Sequence, residues 1–75
     1  MRIFEMVKEL RQEKKYTQEY MATRLGYSTA NYSHKETGRR NISADELQKI
    51  AEALEVEPEI FFDQNKYYKY RYVGI

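Results

Sequence analysis

The 75-residue sequence contains no cysteine and only one histidine, His34. Without thiols there is no disulfide and no thiolate metal site, and a single imidazole cannot form a metal cluster. No apolar run approaches the ~20 residues of a membrane span, and residues 1–7 lack the features of a signal peptide. We therefore expect a cytoplasmic protein with no metal, no cofactor and no membrane partner. Its core must be apolar, or a second subunit must complete it.

The sequence also lacks the groups that enzymes use. It has only three glycines, with no phosphate-cradling loop, and offers no nucleophile paired with a base and no carboxylate pair on a sufficiently large scaffold. A chain of this length is expected to form one small domain, without a separate catalytic or ligand-binding domain. The expected protein is therefore not an enzyme and takes no small-molecule ligand.

The net charge of +1 conceals an uneven distribution. Residues 1–41 contain nine Lys/Arg and five acids, residues 42–65 contain one Lys and seven acids, and residues 66–75 contain three basic residues and no acid. A basic face favours a polyanionic partner such as nucleic acid, with the acidic segment turned away from it. Small domains also show such asymmetry by chance, so charge alone does not decide the function.

Hydrophobic spacing predicts helices at both ends of the main body. Apolar residues three and four positions apart predict a first helix over about residues 2–14. The sequence Ser43–Glu46 has the form of a capping box, which predicts the start of a fourth helix. Pro58 suits the first turn of a short fifth helix over residues 59–62.

The segment between these helices predicts two short helices joined by a tight turn. Thr17 and Ser28 are good N-caps, and Gly26 suits the left-handed residue that ends a helix. The helices are expected at about residues 18–25 and 29–37. A pair of helices with this connection is a helix-turn-helix unit.

The tail, residues 64–75, has a different pattern from the domain predicted over residues 1–63. Tyrosines alternate with basic residues over residues 68–72, which is typical of a β-strand. A lone strand must pair with a second subunit or with another segment of the chain, or else stay disordered. Folding back onto the helices is a further alternative, and so is DNA contact through Lys66, Lys69 and Arg71.

The sequence resembles the Cro/phage-repressor type of helix-turn-helix domain, the XRE family, over about residues 3–62. The resemblance is carried by Thr17-Gln-Glu-Tyr-Met-Ala-Thr-Arg-Leu-Gly26, Ser28, Glu36-Thr-Gly38, Ser43 and Leu47 to Leu54. It implies an all-α, compact, five-helix lambda-repressor-like domain whose third helix lies in the DNA major groove. It also implies that Glu36 is held by a basic residue of helix one, Arg11, as a structural pair.

By the same resemblance, Thr29, Ala30 and His34 match base-reading positions, although a solvent-facing His34 that reads nothing is the alternative. Lys35 departs from the family pattern, which has an apolar residue there. We expect its stem to cover the core and its ammonium to reach solvent or phosphate, unless the recognition helix is rotated. The expected phosphate contacts, which an ordinary solvated basic loop would also explain in part, are Gln18, Ser33, Thr37, Arg39, Arg40 and Asn41.

These expectations lead to a bacterial or phage-encoded transcriptional regulator, most simply a repressor. One short domain contacts few base pairs, so we expect a homodimer on a two-fold operator in double-stranded DNA. The alternative is an antitoxin or another protein-interaction module on the same fold, with the tail binding a partner protein. The hypothetical dimer interface is aromatic and comprises Phe61, Phe62, Tyr68, Tyr70 and Tyr72.

Overall fold

The computed structural model describes residues 1–73, and within them all of the regular secondary structure is helical. No helix in this range is long and apolar enough to cross a membrane. The elements in chain order are α1 (Ile3–Glu13), α2 (Gln18–Leu25), α3 (Thr29–Glu36), α4 (Ala44–Leu54), a 3-10 helix (Pro58–Phe61), α5 (Gln64–Tyr68) and a π-helical turn (Lys69–Val73).

Helix starts lie where the capping residues predict them. The hydroxyls of Thr17, Ser28 and Ser43 each accept a hydrogen bond from the backbone N–H three residues further on, at 2.9–3.1 Å. Glu46 completes the capping box by accepting from the Ser43 N–H at 2.8 Å. These bonds satisfy N–H groups that have no partner within the helix, so each cap fixes the first turn of its helix.

Two glycines end α2 and follow α3 in the left-handed region. Gly26 has φ +76° and Gly38 has φ +81°, a conformation that costs little only without a Cβ. A Cβ on Gly38 would lie 2.7 Å from the ring of Phe4, whereas one on Gly26 would meet nothing within 4 Å. Glycine is therefore required at position 38 for two reasons, the left-handed backbone and the close approach of the Phe4 ring of α1.

The core is formed where α1 and α4 pack against the α2–α3 pair. The fully buried side chains include Val7 of α1, Met21 of α2, Tyr32 of α3 and Ile50 of α4. Helix α2 packs on both α3 and α4, while α1 contacts α3 and α4. This packing fixes the orientation of α3, which leaves one of its faces free at the surface.

Of the alternatives for the tail, the strand is wrong within the described residues, because residues 64–73 are helical and fold back onto α1, which was another of the alternatives. The Asp63 side chain caps α5, and Tyr67 is buried and donates through its hydroxyl to Glu9. Arg71 forms an ion pair with Glu13. The helical conformation satisfies the backbone hydrogen bonds within the segment, which a single strand could not do. Residues 74–75 of the predicted tail lie outside the described residues.

The aromatic residues of the hypothetical dimer interface do not share one environment. Phe61 is a core residue with 2% of its surface exposed, which removes it from any surface, whereas Phe62 is 67% exposed. Tyr68 and Tyr72 are exposed and stack with ring centroids 5.2 Å apart. Tyr70 is only marginally exposed and lines a shallow cavity beside Val56.

Candidate nucleic-acid interface

Helix α3 presents a polar strip to solvent because its opposite face is buried. Tyr32, Lys35 and Glu36 are all turned into the domain. Ala30 and His34 lie on the side of the helix opposite these residues and therefore face outward. With Tyr32 and Lys35 turned inward, the outward face of α3 is free to approach DNA.

The three candidate base-reading residues lie on that strip. Thr29 and Ala30 are exposed in the first turn of α3, directly after the Ser28 cap. His34 is half-exposed one turn further on, four residues after Ala30, and therefore lies on the same face. Ser33 is half-exposed beside them. The strip is short and polar, with small side chains near the helix start, where a major groove is entered first.

The loop after α3 carries the densest basic charge near the strip. The backbone N–H groups of Arg39 and Arg40 both donate to the His34 carbonyl, at 2.9 and 3.1 Å. Their side chains, and that of Asn41, are exposed. The Thr37 hydroxyl donates to the Ser33 carbonyl at 2.9 Å, so it keeps only acceptor capacity for other partners.

Sequence reasoning missed one further arginine near this loop. Arg2, the N-cap of α1, lines the same surface cleft of about 310 Å³ as Arg40 and Asn41. Thirty-eight positions separate Arg2 from Arg40, and no sequence signal joins them. The cleft therefore extends the basic surface from the α3 loop to the start of α1.

A buried ion pair fixes the far end of α3. The Arg11 guanidinium donates to both Glu36 oxygens, at 2.8 and 2.9 Å, where the resemblance placed this pair. Gln18 donates to the same carboxylate at 3.1 Å, so its side chain joins α2 to α3 and is only half-exposed. Burial alone would raise the pKa of Glu36, but the hydrogen bonds from Arg11 and Gln18 outweigh it and lower that pKa. The hydrogen bonds from Arg11 to Glu36 raise the pKa of Arg11.

Lys35 occupies a second charged cluster, and the expectation that its ammonium reaches solvent or phosphate is wrong. Its Nζ lies 2.9 Å from a Glu46 carboxylate oxygen and donates to the Asn41 carbonyl at 3.2 Å. Tyr27 donates to the same carboxylate. A lysine in an apolar position signals a buried partner, because an unpaired buried charge is costly. From the sequence, Glu46 was assigned only to the capping box, so its ion pair with Lys35 was not predicted.

The electrostatics of this cluster follow from its hydrogen bonds. Burial would raise the pKa of Glu46, yet donation from the Ser43 N–H, Tyr27 and Lys35 lowers it to about 2. Burial and the hydrogen bond to Glu46 raise the pKa of Tyr27 to about 12. Glu46 is therefore a carboxylate, and Tyr27 a neutral phenol, throughout the neutral pH range.

The groups at this surface are of two kinds, buried ionic groups and exposed polar or basic side chains. Within residues 1–73, no group of three or more His, Cys, Asp or Glu side chains could hold a metal ion. The buried ionic groups near α3 are paired with one another and serve to orient it. The remaining exposed groups are hydrogen-bonding side chains and guanidinium ions, which suit recognition of a polyanion with readable edges.

The profile of the helix-turn-helix family matches residues 7–61, from α1 through the 3-10 helix. The chain therefore belongs to this family, of the Cro and phage-repressor type also called XRE, and is a domain of a DNA-binding regulator. Searches among curated proteins and among solved structures gave no significant match.

Proposed function

We propose that this chain is a transcriptional repressor that recognises a specific operator through α3 and acts in the cytoplasm, where its DNA lies. The observation that carries the proposal is the exposed strip of Thr29, Ala30 and His34, bordered by the Arg39–Arg40 loop. A strip of readable side chains beside guanidinium groups matches the division of labour at DNA interfaces, in which phosphate contacts position and base contacts specify.

Each strip residue has a defined chemistry toward base edges. The Thr29 hydroxyl can exchange a hydrogen bond with a base, and the Ala30 methyl suits the methyl group of thymine. His34 can donate to the acceptor atoms of guanine. None of the three offers the bidentate contact of an arginine or glutamine. We infer that part of the sequence preference comes from DNA shape and deformability.

The proposed phosphate contacts surround this strip. Arg39, Arg40 and Asn41 lie after α3, and Ser33 and Thr37 border it. The Thr37 hydroxyl would have to leave the Ser33 carbonyl before it could donate to a phosphate. Gln18 is the first residue of α2, where unpaired backbone N–H groups favour an anion. Its amide already donates to Glu36, so its remaining donor capacity and the helix terminus would serve the phosphate.

We further propose that the regulator binds as a homodimer, with each copy on one half-site. The supporting observation is that Phe62, Tyr68 and Tyr72 are exposed aromatic residues close to the end of the described chain, and that Tyr68 and Tyr72 stack on each other. Because Phe61 is in the core, it has no place in this interface. A two-fold dimer would bind two half-sites whose centres lie about one helical turn apart, and it would block access of other proteins to the operator.

Paired variants test the DNA proposal. Replacing Arg39 and Arg40 with alanine should weaken binding to all sequences and reduce the salt slope of log K by about 1 per lost contact. His34→Ala should instead cost about 1–3 kcal/mol on the preferred sequence alone. Lys49→Ala, which removes an exposed charge on α4, is the control and should change affinity little. Undiminished binding by the double-arginine variant would contradict the proposed interface.

A protein-interaction module, for example an antitoxin, is the second candidate, and the exposed aromatic side chains of Phe62, Tyr68 and Tyr72 favour it. Sedimentation separates the two roles of these side chains. Phe62→Ser with Tyr68→Ser should convert a dimer to a monomer if these side chains join two copies. A wild-type chain that is monomeric and fails to bind DNA at low salt would favour the interaction module instead.

A further inference from the structure

Lys35 is almost fully enclosed, with only 11% of its side chain exposed, although it carries a charge. Its Nζ is paired with the Glu46 carboxylate at 2.9 Å. Glu46 is itself held by the Ser43 N–H at 2.8 Å and by the Tyr27 hydroxyl. The carboxylate therefore has a fixed position at the start of α4, and it fixes the ammonium in turn.

The second partner of this ammonium belongs to the basic loop. Lys35 Nζ donates to the Asn41 carbonyl at 3.2 Å, at the end of the segment that carries Arg39 and Arg40. The start of that segment is held by the His34 carbonyl, which accepts from both arginine N–H groups. Residues 39–41 are thus tied at their two ends to successive residues of α3.

We propose that Lys35 is a positioning residue for DNA binding: neutralised by Glu46, it holds the Arg39–Asn41 loop in the conformation that contacts phosphate. This inference rests on the proposed function. A tethered loop has already lost backbone freedom before it meets DNA, so its arginines bind with a smaller entropic cost. The lysine acts through the loop, since its own charge is paired inside the domain.

Lys35→Met tests whether the ammonium affects DNA binding through the loop, because methionine keeps the length of the side chain but removes the ammonium. The probe is a mixed-sequence DNA duplex at low salt, where binding depends on phosphate contacts. Lys35→Met should lose about tenfold in affinity, within the range for residues of one hydrogen-bond network, while the salt slope should stay near wild type because the arginines still contact phosphate in the complex. In the Arg39→Ala/Arg40→Ala background the same substitution should have almost no effect. The control Lys49→Met removes an exposed lysine charge on α4 and should leave affinity and slope near wild type.

A measurement without DNA tests the tether itself. In ¹⁵N relaxation of the free protein, the order parameters of the Asn41 and Ile42 amides should fall from about 0.85 to below about 0.6 in Lys35→Met. Glu46→Gln provides a second variant if Lys35→Met does not fold. Glutamine keeps the capping box but replaces one oxygen with an NH₂ group, and it should loosen the same two amides.

The outcomes are distinguishable. Unchanged order parameters in both variants would overturn the tether, whatever happens with DNA. An equal loss of affinity in the wild-type and double-arginine backgrounds would overturn the positioning role and assign Lys35 a direct effect. A wild-type chain that fails to bind the duplex would overturn the proposed function and the positioning role together, while the relaxation result would still decide whether the tether exists.

Discussion

Replacing Glu36 with glutamine should strongly destabilise the domain, although the two side chains have nearly the same shape. The Glu36 side chain is 0% exposed and accepts two hydrogen bonds from Arg11, at 2.8 and 2.9 Å, and one from Gln18, at 3.1 Å. Glutamine presents an NH₂ group to one of these donors and carries no charge. The Arg11 guanidinium, 11% exposed, would then be a buried cation without a counter-ion.

The expected loss can be set against the total stability. Removing one partner of a buried ion pair costs about 3–5 kcal/mol. A domain of 75 residues has a free energy of unfolding of roughly 4–11 kcal/mol at typical values per residue. A loss of about 3 kcal/mol corresponds to a fall in Tm of roughly 12–24 °C for a domain of this size. The variant should therefore be marginally stable.

Urea and thermal denaturation followed by circular dichroism measure this loss. Glu52→Gln, which changes an exposed glutamate on α4, is the matched control and should stay within about 0.5 kcal/mol of wild type. Adding Arg11→Met to Glu36→Gln should recover part of the loss, because the unpaired cation is removed. If Glu36→Gln stays within about 1 kcal/mol of wild type, the pair does not hold α3 as described.

Three further predictions follow from the cap, the glycines and the tail. The folded-state pKa of Glu46, about 2, lies below the ordinary 4.5, so its contribution to stability is present above pH 4.5 and lost as the pH falls toward 2. Denaturation across that window should show a weaker pH dependence in Glu46→Gln, and an unchanged one would contradict the assignment. Gly38→Ala should lose more stability than Gly26→Ala, which costs about 1–2 kcal/mol, because only the former also meets the Phe4 ring. Equal losses in melting experiments would show that the ring moves freely. Tyr67→Phe should lower the Tm by about 4–8 °C through a lost hydrogen bond worth about 1 kcal/mol, and an unchanged Tm would argue against the docked tail.

Local signals in the sequence predicted the helices because those signals act locally. Thr17, Ser28 and Ser43 cap the helices that they were expected to cap, and Gly26 ends α2 in the left-handed conformation. These contacts join residues no more than four positions apart, so chemical identity and spacing determine them. The fold class was accessible for the same reason.

Interactions between residues far apart in the sequence were harder to predict from the sequence. The link from Lys35 to Glu46 and Asn41 depends on how α3 packs against α4, which no spacing rule specifies. The strand interpretation of the tail was incorrect for a related reason. Its alternating pattern favours a strand, but burial of Tyr67 against α1 outweighs that preference once the helices have formed.

Which residues of α3 face outward depends on which of its residues are buried. Tyr32 and Glu36 are buried, which turns Ala30 and His34 outward, while Thr29 is exposed because it stands in the first turn of the helix. Which bases these side chains contact depends on the docking angle on DNA, which the free domain does not contain. The base-reading assignments therefore stay predictions.

Selection of the purified chain against a pool of randomised DNA duplexes, read by sequencing, tests recognition through α3 most directly. The account predicts enrichment of two inverted half-sites centred about one helical turn apart. It also predicts that His34→Ala relaxes the preference at one position of each half-site. Absence of any enriched motif at low salt, or a motif unchanged by substitutions of Thr29, Ala30 and His34, would contradict it.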